Sequence, residues 1–372
     1  MKVLISQELL AGTLSAVNKA VSTRTVNPLL THVKLVAEAD NLTVTGTDGE
    51  FTVRRNVAIS GAEPGRILAP ADLLFRLVSK LPKKDITLAL SENQLNVAVG
   101  RSTYDLTVMW DDTYPELPDY QEHRLITLPC AMLKHALAQT SFAAVKDSAT
   151  GAVHYTNSVF FSFKENRLDI VATDGHRLAL KRNDGLGVGD VERDLLLPVR
   201  VAEELERMLP DDEDSAVEIY HYSNQAFFRF GNNLLVSALL DVKFPPYERV
   251  IPKDIASKVH VDREGIMDAL GRVLLVCKQK DQNPVGYLET AGETVTLRSD
   301  GGEYGKGQEE LEAEVGGEDI KIAINPQYLI DVLKVLGGEQ VTLNWTSEVS
   351  PVMLTSPRDP AFTYIVMPIR MD

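Results

Sequence analysis

The sequence predicts an α+β protein made of three tandem copies of one unit, each with two helices packed on antiparallel sheets. Two recurring landmarks carry this. A strand-to-turn phrase occurs three times, as LTVTGTDG at 42–49, LDIVATDG at 168–175 and VTLRSDG at 295–301. Its aspartates, Asp48, Asp174 and Asp300, are 126 residues apart each time. An apolar strand that ends in proline and runs into an amphipathic helix recurs in step: ILAPADLLFRLVSKLP, LLLPVRVAEELERMLP and IAINPQYLIDVLKVL. Its prolines, Pro70, Pro198 and Pro326, are 128 residues apart. Two landmarks in register define a repeat of roughly 125 residues, the size of an ordinary domain.

Within a repeat the elements follow one order. The first is a helix. Its apolar stripe is Leu10, Leu14, Val17 and Val21 in repeat 1, begins with Leu133 and Leu137 in repeat 2, and is Ile266, Leu270, Val273 and Leu274 in repeat 3. Strands follow, alternating or β-branched, such as the one through Leu42 and Val44. Asp-Gly closes them in a tight turn, with Asp bonding nearby backbone and Gly supplying positive φ. The proline landmark then opens the second helix. Its apolar positions are Leu73, Leu74, Leu77, Val78 and Leu81 in repeat 1 and Leu329, Val332, Leu333 and Leu336 in repeat 3. Further strands, such as Val97–Val99 and Leu106–Trp110, complete the unit. Polar linkers near Tyr120–Arg124 and Pro252–Ser257 follow proline-marked strand ends (TYPELPDY, FPPYERVIP) and set the repeats at 1–122, 123–253 and 254–372. Three such units suggest a curved or ring-like array with edge strands left to pair with neighbours.

Composition excludes several classes. The chain has 372 residues, 44% hydrophobic and 24% charged, as in ordinary globular protein. MKVLISQELLAG is too polar for a secretory signal, and no stretch approaches the roughly 18 apolar residues of a membrane span. The only cysteines, Cys130 and Cys277, fall in different repeats, which fits a reducing cytoplasm rather than a disulfide framework. The net charge of −15 argues against a large basic nucleic-acid grip. It leaves room for an acidic exterior with a local basic lining. Basic residues do recur on the helices and adjoining loops of all three repeats, among them Lys19, Arg24, Arg76, Lys134, Arg200, Arg207, Arg272 and Lys334.

Catalytic signals are thin. Asp174 could orient His176 as a general base, but Asp-Gly is shared by all three repeats and so serves the turn. What is particular to repeat 2 is His176 and Arg177. GGEYGKGQ, from Gly301, superficially resembles a phosphate loop, yet Gly307 stands where a Ser or Thr must reach magnesium. No metal-ligand spacing occurs, and no cofactor is expected. The C-terminal run Tyr364–Ile369 is apolar, and its Pro368 cannot continue a sheet. A Met-containing apolar tail suits a peptide-binding groove.

These features converge on a known family. ATDGHRLA at 172–179, FPPYERVIP at 244–252 and YIVMPIRM at 364–371, together with the threefold repeat and Arg24 in STRTVNPLL, resemble the bacterial DNA polymerase III β subunits, the sliding clamps. The resemblance covers the whole chain. It implies the DNA clamp fold and a head-to-tail homodimer closing into a six-repeat ring around duplex DNA. It implies no catalysis: the ring tethers the replicative polymerase and is loaded by a separate ATPase. It further implies a groove for partner peptides between repeats 2 and 3, at Thr173, Gly175, His176, Arg177, Leu178, Pro245, Arg249, Val250, Val349, Pro351, Val366, Met367, Pro368, Ile369 and Arg370. The partners expected there are the polymerase α subunit, the clamp loader, other polymerases and repair proteins. DNA contact is expected from Arg24, Lys146, His154, Tyr155 and Arg200. The dimer interface is expected at Tyr104 and Leu106 facing Leu275 and Val276, with Tyr104 and Leu106 on one strand face. The chain departs from the family pattern at His154, Thr156 and Pro351, and Met371 and Asp372 follow Arg370. Two other classes stay open on the residues alone. One is a repeat-built peptide scaffold that never encircles DNA, and the other is a hydrolase using Asp174 and His176.

Overall fold

In the computed structural model, the described residues are 1–22, 25–110, 113–146, 154–186, 192–280, 283–302 and 305–370. The expected helices form where the stripes place them. Helix α1 is Gln7–Val17, capped by the Ser6 side chain on Leu9 N at 3.4 Å, and it buries Leu10, Leu14 and Val17. Val21 lies beyond its end, after a 3-10 turn at Asn18–Ala20. Helix α2 is Ala71–Lys80 and buries Ala71, Leu74 and Val78. Leu73, expected on that stripe, is 46% exposed, because its direction on the helix falls outside the arc that meets the sheet. Helices α3 (Cys130–Thr140), α4 (Val199–Met208) and α5 (Arg263–Leu274) follow, then α6 (Pro326–Val335), which starts at a proline and is capped by Asn325.

Strands pair antiparallel throughout, in two compact units: residues 1–134 with 204–239, and residues 135–203 with 240–372. The units cut across repeat 2 because its two strand sets join different neighbours. In the first unit an eight-stranded sheet runs from Gly65–Pro70 through Phe51–Ala58 to Asn233–Ala238 and Arg124–Pro129. Its inter-repeat seam pairs Phe51 with Ser237 and Arg55 with Asn233. A four-stranded sheet, Lys2–Ser6, Asp85–Ser91, Gln94–Val99 and Ser102–Thr107, completes this unit. The expected strand through Trp110 is shorter: after Thr107, Met109 only bridges to Leu68, and Trp110 is 54% exposed.

In the second unit the strands of repeats 2 and 3 form one sheet. Its seam pairs Arg177–Lys181 with Phe362–Val366. The far edge strand is Lys278–Lys280. Gly46 is required by packing in the first unit, since a Cβ there would lie 2.7 Å from the Val17 carbonyl oxygen. The two free cysteines, Cys130 and Cys277, are both buried. No helix is long and apolar enough to cross a membrane among the described residues.

Candidate partner-binding groove

The Asp-Gly turn of repeat 2 anchors the site. Asp174 Oδ1 accepts the backbone N–H groups of His176 (2.9 Å) and Arg177 (3.0 Å), and Gly175 adopts a φ of 90°. Thr173 accepts the Gly175 N–H at 3.1 Å and donates to the Arg177 carbonyl. The same arrangement holds at Asp48, whose Oδ1 accepts from Glu50 and Phe51. Asp174 Oδ2 accepts from Arg177 Nε at 2.9 Å. Both carboxylate oxygens of Asp174 are therefore occupied, and the turn reading prevails over an Asp-His general base.

Arg177 turns inward rather than toward the solvent. Its side chain is only 11% exposed, ion-paired with Asp174 and with Asp331 on α6 at 2.6 Å. It also donates to the Phe142 carbonyl, and its guanidinium lies 4.5 Å from the Tyr328 ring centre. The residue thus clamps the turn onto α6.

Above this clamp lies an apolar hollow of about 210 Å³, lined by Thr173, Gly175, His176, Arg177, Leu178, Pro245, Val250 and Met367 among the expected residues. Tyr155, Pro246, Tyr247 and Ile365 complete the lining. Its floor belongs to a buried cluster that includes Phe160, Val171, Leu178, Phe244, Tyr247 and Ile365. Phe160 and Phe244 stack at 4.5 Å. Tyr155, expected to touch DNA, stands on this wall, edge-on to Phe244 at 5.7 Å.

A second, larger hollow of about 940 Å³ adjoins the first across Met367, which lines both. Of the expected groove residues, Val349, Pro368, Ile369 and Arg370 line it, along with Tyr287, Lys321, Ile322 and Glu348. Val349 is 82% exposed. The tail is held by the Ile369 N–H on the Ala323 carbonyl at 2.7 Å and the Met367 N–H on the His176 carbonyl at 2.8 Å. Arg249, Pro351 and Val366 line neither hollow, and Val366 is fully buried. Strand parity explains Val366. It shares a face with Tyr364, while Ile365 points to the cluster beneath the hollow. The signal for Pro246, Tyr247 and Ile365 was present, since FPPYERVIP and YIVMPIRM contain all three.

Other expected residues are placed as follows. Lys146 is exposed and pairs with Glu203 at 2.6 Å. His154 is exposed, its Nδ1 2.9 Å from the Thr156 hydroxyl, and Arg200 is exposed on α4. Arg24 lies outside the described residues. Tyr104 is 42% exposed, whereas Leu106 is 7% exposed and packs inside its own unit. Leu275 is 78% exposed at the end of α5, and Val276 is half-buried. Both segments lie at sheet edges: Ser102–Thr107 ends the four-stranded sheet, and Leu275 and Val276 lead into the edge strand Lys278–Lys280. No group of His, Cys, Asp or Glu suited to a metal ion exists among the described residues. The Gly301 loop includes Glu303 and Tyr304, which lie outside them.

Comparison with known proteins accounts for the chain in three consecutive pieces. Residues 1–118 match the N-terminal domain of the DNA polymerase III beta subunit, residues 127–246 its central domain and residues 248–370 its C-terminal domain. The beta sliding clamp of Synechococcus elongatus is 33% identical over 377 residues, covering all of both chains. That of Bacillus subtilis is 29% identical over 380 residues, again with full coverage. The sliding clamp of Pseudomonas aeruginosa, solved bound to griselimycin, superposes with a TM-score of 0.93 at 29% identity over the whole of both chains.

Proposed function

The chain belongs to the DNA polymerase III beta subunit family, the beta sliding clamps, and we propose from that premise how its surfaces are used. It is a DNA sliding clamp, a processivity factor of replication and not an enzyme. The observation that carries this is the match of all three clamp domains in tandem along the chain.

We infer that repeats 1–122, 123–253 and 254–372 act as three clamp domains and that two chains close head to tail into a six-domain ring around duplex DNA. Two sheet edges support the closure, Ser102–Thr107 with exposed Tyr104 and Lys278–Lys280 beside exposed Leu275. DNA is held topologically, with weak backbone-directed attraction from residues such as Arg24, Lys146, His154, Tyr155 and Arg200. Weak attraction accords with the net charge of −15. Lys146 already has a carboxylate partner in Glu203, which tempers its pull on phosphate.

The two hollows that share Met367 form the partner-peptide groove in this reading. Their apolar lining suits an extended segment with apolar anchors. The polymerase α subunit, the clamp loader and other polymerases and repair proteins compete for it in the cytoplasm. Griselimycin, bound by the Pseudomonas aeruginosa relative, is the ligand we expect this groove to take. Tethering then turns polymerase rebinding into an intramolecular event.

The test is retention by topology. The protein is loaded with a cognate loader and ATP onto nicked circular DNA, half of the sample is linearised, and both halves are filtered in high salt. Retention on circles with loss from linear DNA is expected. Equal behaviour of the two would refute encirclement.

A further inference from the structure

Beneath the smaller hollow lies a charged group that peptide recognition does not itself require. Asp169, on strand Arg167–Thr173, is 0% exposed. It faces the same side of the strand as Val171 and Thr173, which belong to the hollow and its floor. Its Oδ2 accepts the Tyr247 hydroxyl at 2.7 Å. Arg167 Nε stands 3.1 Å from Oδ1 and Arg182 Nε 3.8 Å from Oδ2, but neither makes an aligned hydrogen bond, nor does Oδ1. The phenol is thus the hydrogen-bond donor that the structure gives this buried carboxylate, and a donor to an ionised oxygen forms a short, strong bond. Burial first, and then Asp169, push the Tyr247 hydroxyl well above its ordinary range, which keeps it protonated and donating.

Tyr247 belongs to a wall whose first two positions offer no backbone donor. Residues 245 and 246 are both proline, without N–H donors, and the following 3-10 turn, Tyr247–Val250, has no side-chain cap. A backbone bond from Arg249 N to the Pro246 carbonyl at 3.2 Å enters this turn. Side chains add to what sets where the wall stands. They are Phe244 stacked on Phe160, Glu248 paired with Lys164 at 2.8 Å, and Tyr247 on Asp169. Pro245, Pro246, Tyr247 and Val250, all on this wall, line the hollow.

We propose that Asp169 is a positioning residue for the partner groove: by holding the Tyr247 hydroxyl it fixes the 244–250 wall at the separation from the Thr173–Leu178 turn that a partner's apolar side chain requires. This rests on the groove reading given above. Asp169 touches no partner. It acts through Tyr247, and its loss lets the wall drift, which shortens the lifetime of the bound ligand.

The experiment measures griselimycin binding to full-length protein by calorimetry and stopped flow, well below each variant's melting temperature, with melting recorded separately. Tyr247→Phe keeps the ring and removes the donor. Its expected effect is about a tenfold weaker affinity, carried by faster dissociation. Asp169→Asn retains an acceptor oxygen and should stay within about twofold of wild type. Asp169→Leu should match Tyr247→Phe, and if it does not fold, the other two variants decide. Unchanged affinity and dissociation in Tyr247→Phe, with only a lower melting temperature, would overturn the proposal and leave Asp169 a purely structural group. Val250→Tyr separates the two levels: if filling the hollow leaves wild-type binding intact, the groove reading itself fails.

Discussion

The two inter-repeat junctions are built alike and finished differently. At the first, strand Asn233–Ala238 of repeat 2 pairs with Phe51–Ala58 of repeat 1. At the second, strand Asp359–Val366 of repeat 3 pairs with Arg177–Asp184 of repeat 2. Val236 and Ile365 hold matching places, and their cross-strand partners are Phe227 and Met353. Counting six residues from Tyr114 and Phe244 makes Tyr120 the counterpart of Val250. At the first junction Tyr120 stacks on Phe227 at 4.3 Å and 9°, edge-on to Tyr220, in a buried cluster with Leu234 and Val236. At the second, the smaller Val250 and the flexible Met353 leave space, and the 210 Å³ hollow stands there. One scaffold thus gives a sealed joint or an open hollow according to the bulk of two side chains.

The comparison can be broken from either side. The largest effect is expected from Tyr120→Ala, which empties the sealed junction. It should cost about 3 kcal/mol of stability, seen as a lower urea midpoint, with griselimycin binding unchanged. A negligible stability change would mean that the aromatic stack does not close that joint. Next comes Val250→Tyr, which gives the second junction the first junction's plug. Affinity for griselimycin should fall about 100-fold, close to 2.8 kcal/mol, with melting little altered.

Met367→Ala trims the side chain shared by both hollows and should weaken binding about tenfold while leaving the oligomeric state intact. Conversion to monomers on sedimentation would instead assign the tail to an interface. The smallest effect concerns a clasp particular to the second junction. Asp359 accepts from Lys181 and from Gln139, whereas Arg55, the counterpart of Lys181, donates to the Gly12 carbonyl.

Burial opposes the charge on Asp359, but Lys181 and Gln139 outweigh it and hold its carboxyl below the ordinary 3.8. A depressed folded value means that the clasp stabilises fully above about pH 4 and is lost as pH falls through the lower, folded value. Asp359→Asn should therefore be less stable than wild type at neutral pH, by at most about 1 kcal/mol, and the gap should close in acid. A gap that persists at pH 2 in urea titrations would exclude an electrostatic origin.

The groove was partly legible before folding was considered. His176 and Arg177 break the symmetry of the Asp-Gly turns, and the apolar tail ends in Met-Pro-Ile. Both deviations from the repeat mark the site. Orientation was not legible. In the run Tyr364–Ile369 every residue is apolar, so a period of two leaves no trace, and only the paired strand shows Ile365 toward the hollow and Val366 away. Arg177 was expected at the groove surface, yet its charge is turned onto Asp331, more than 150 residues along the chain. Leu106 shows the same limit, since an edge strand leaves open whether a side chain serves its own core or a partner.

The sequence by itself determined the repeat, the helices and the turns, because these depend on local periodicity, proline and Asp-Gly chemistry. It also carried the family, through motifs spread over the whole chain. Tertiary structure decided how repeat 2 divides its strands between two neighbours, and that one junction is plugged and the other open. It also decided that a buried aspartate, bonded to Tyr247, lies beneath the open one. Each of these turns on which side chains from distant segments share a space, and volume and charge can be balanced only once those segments have met.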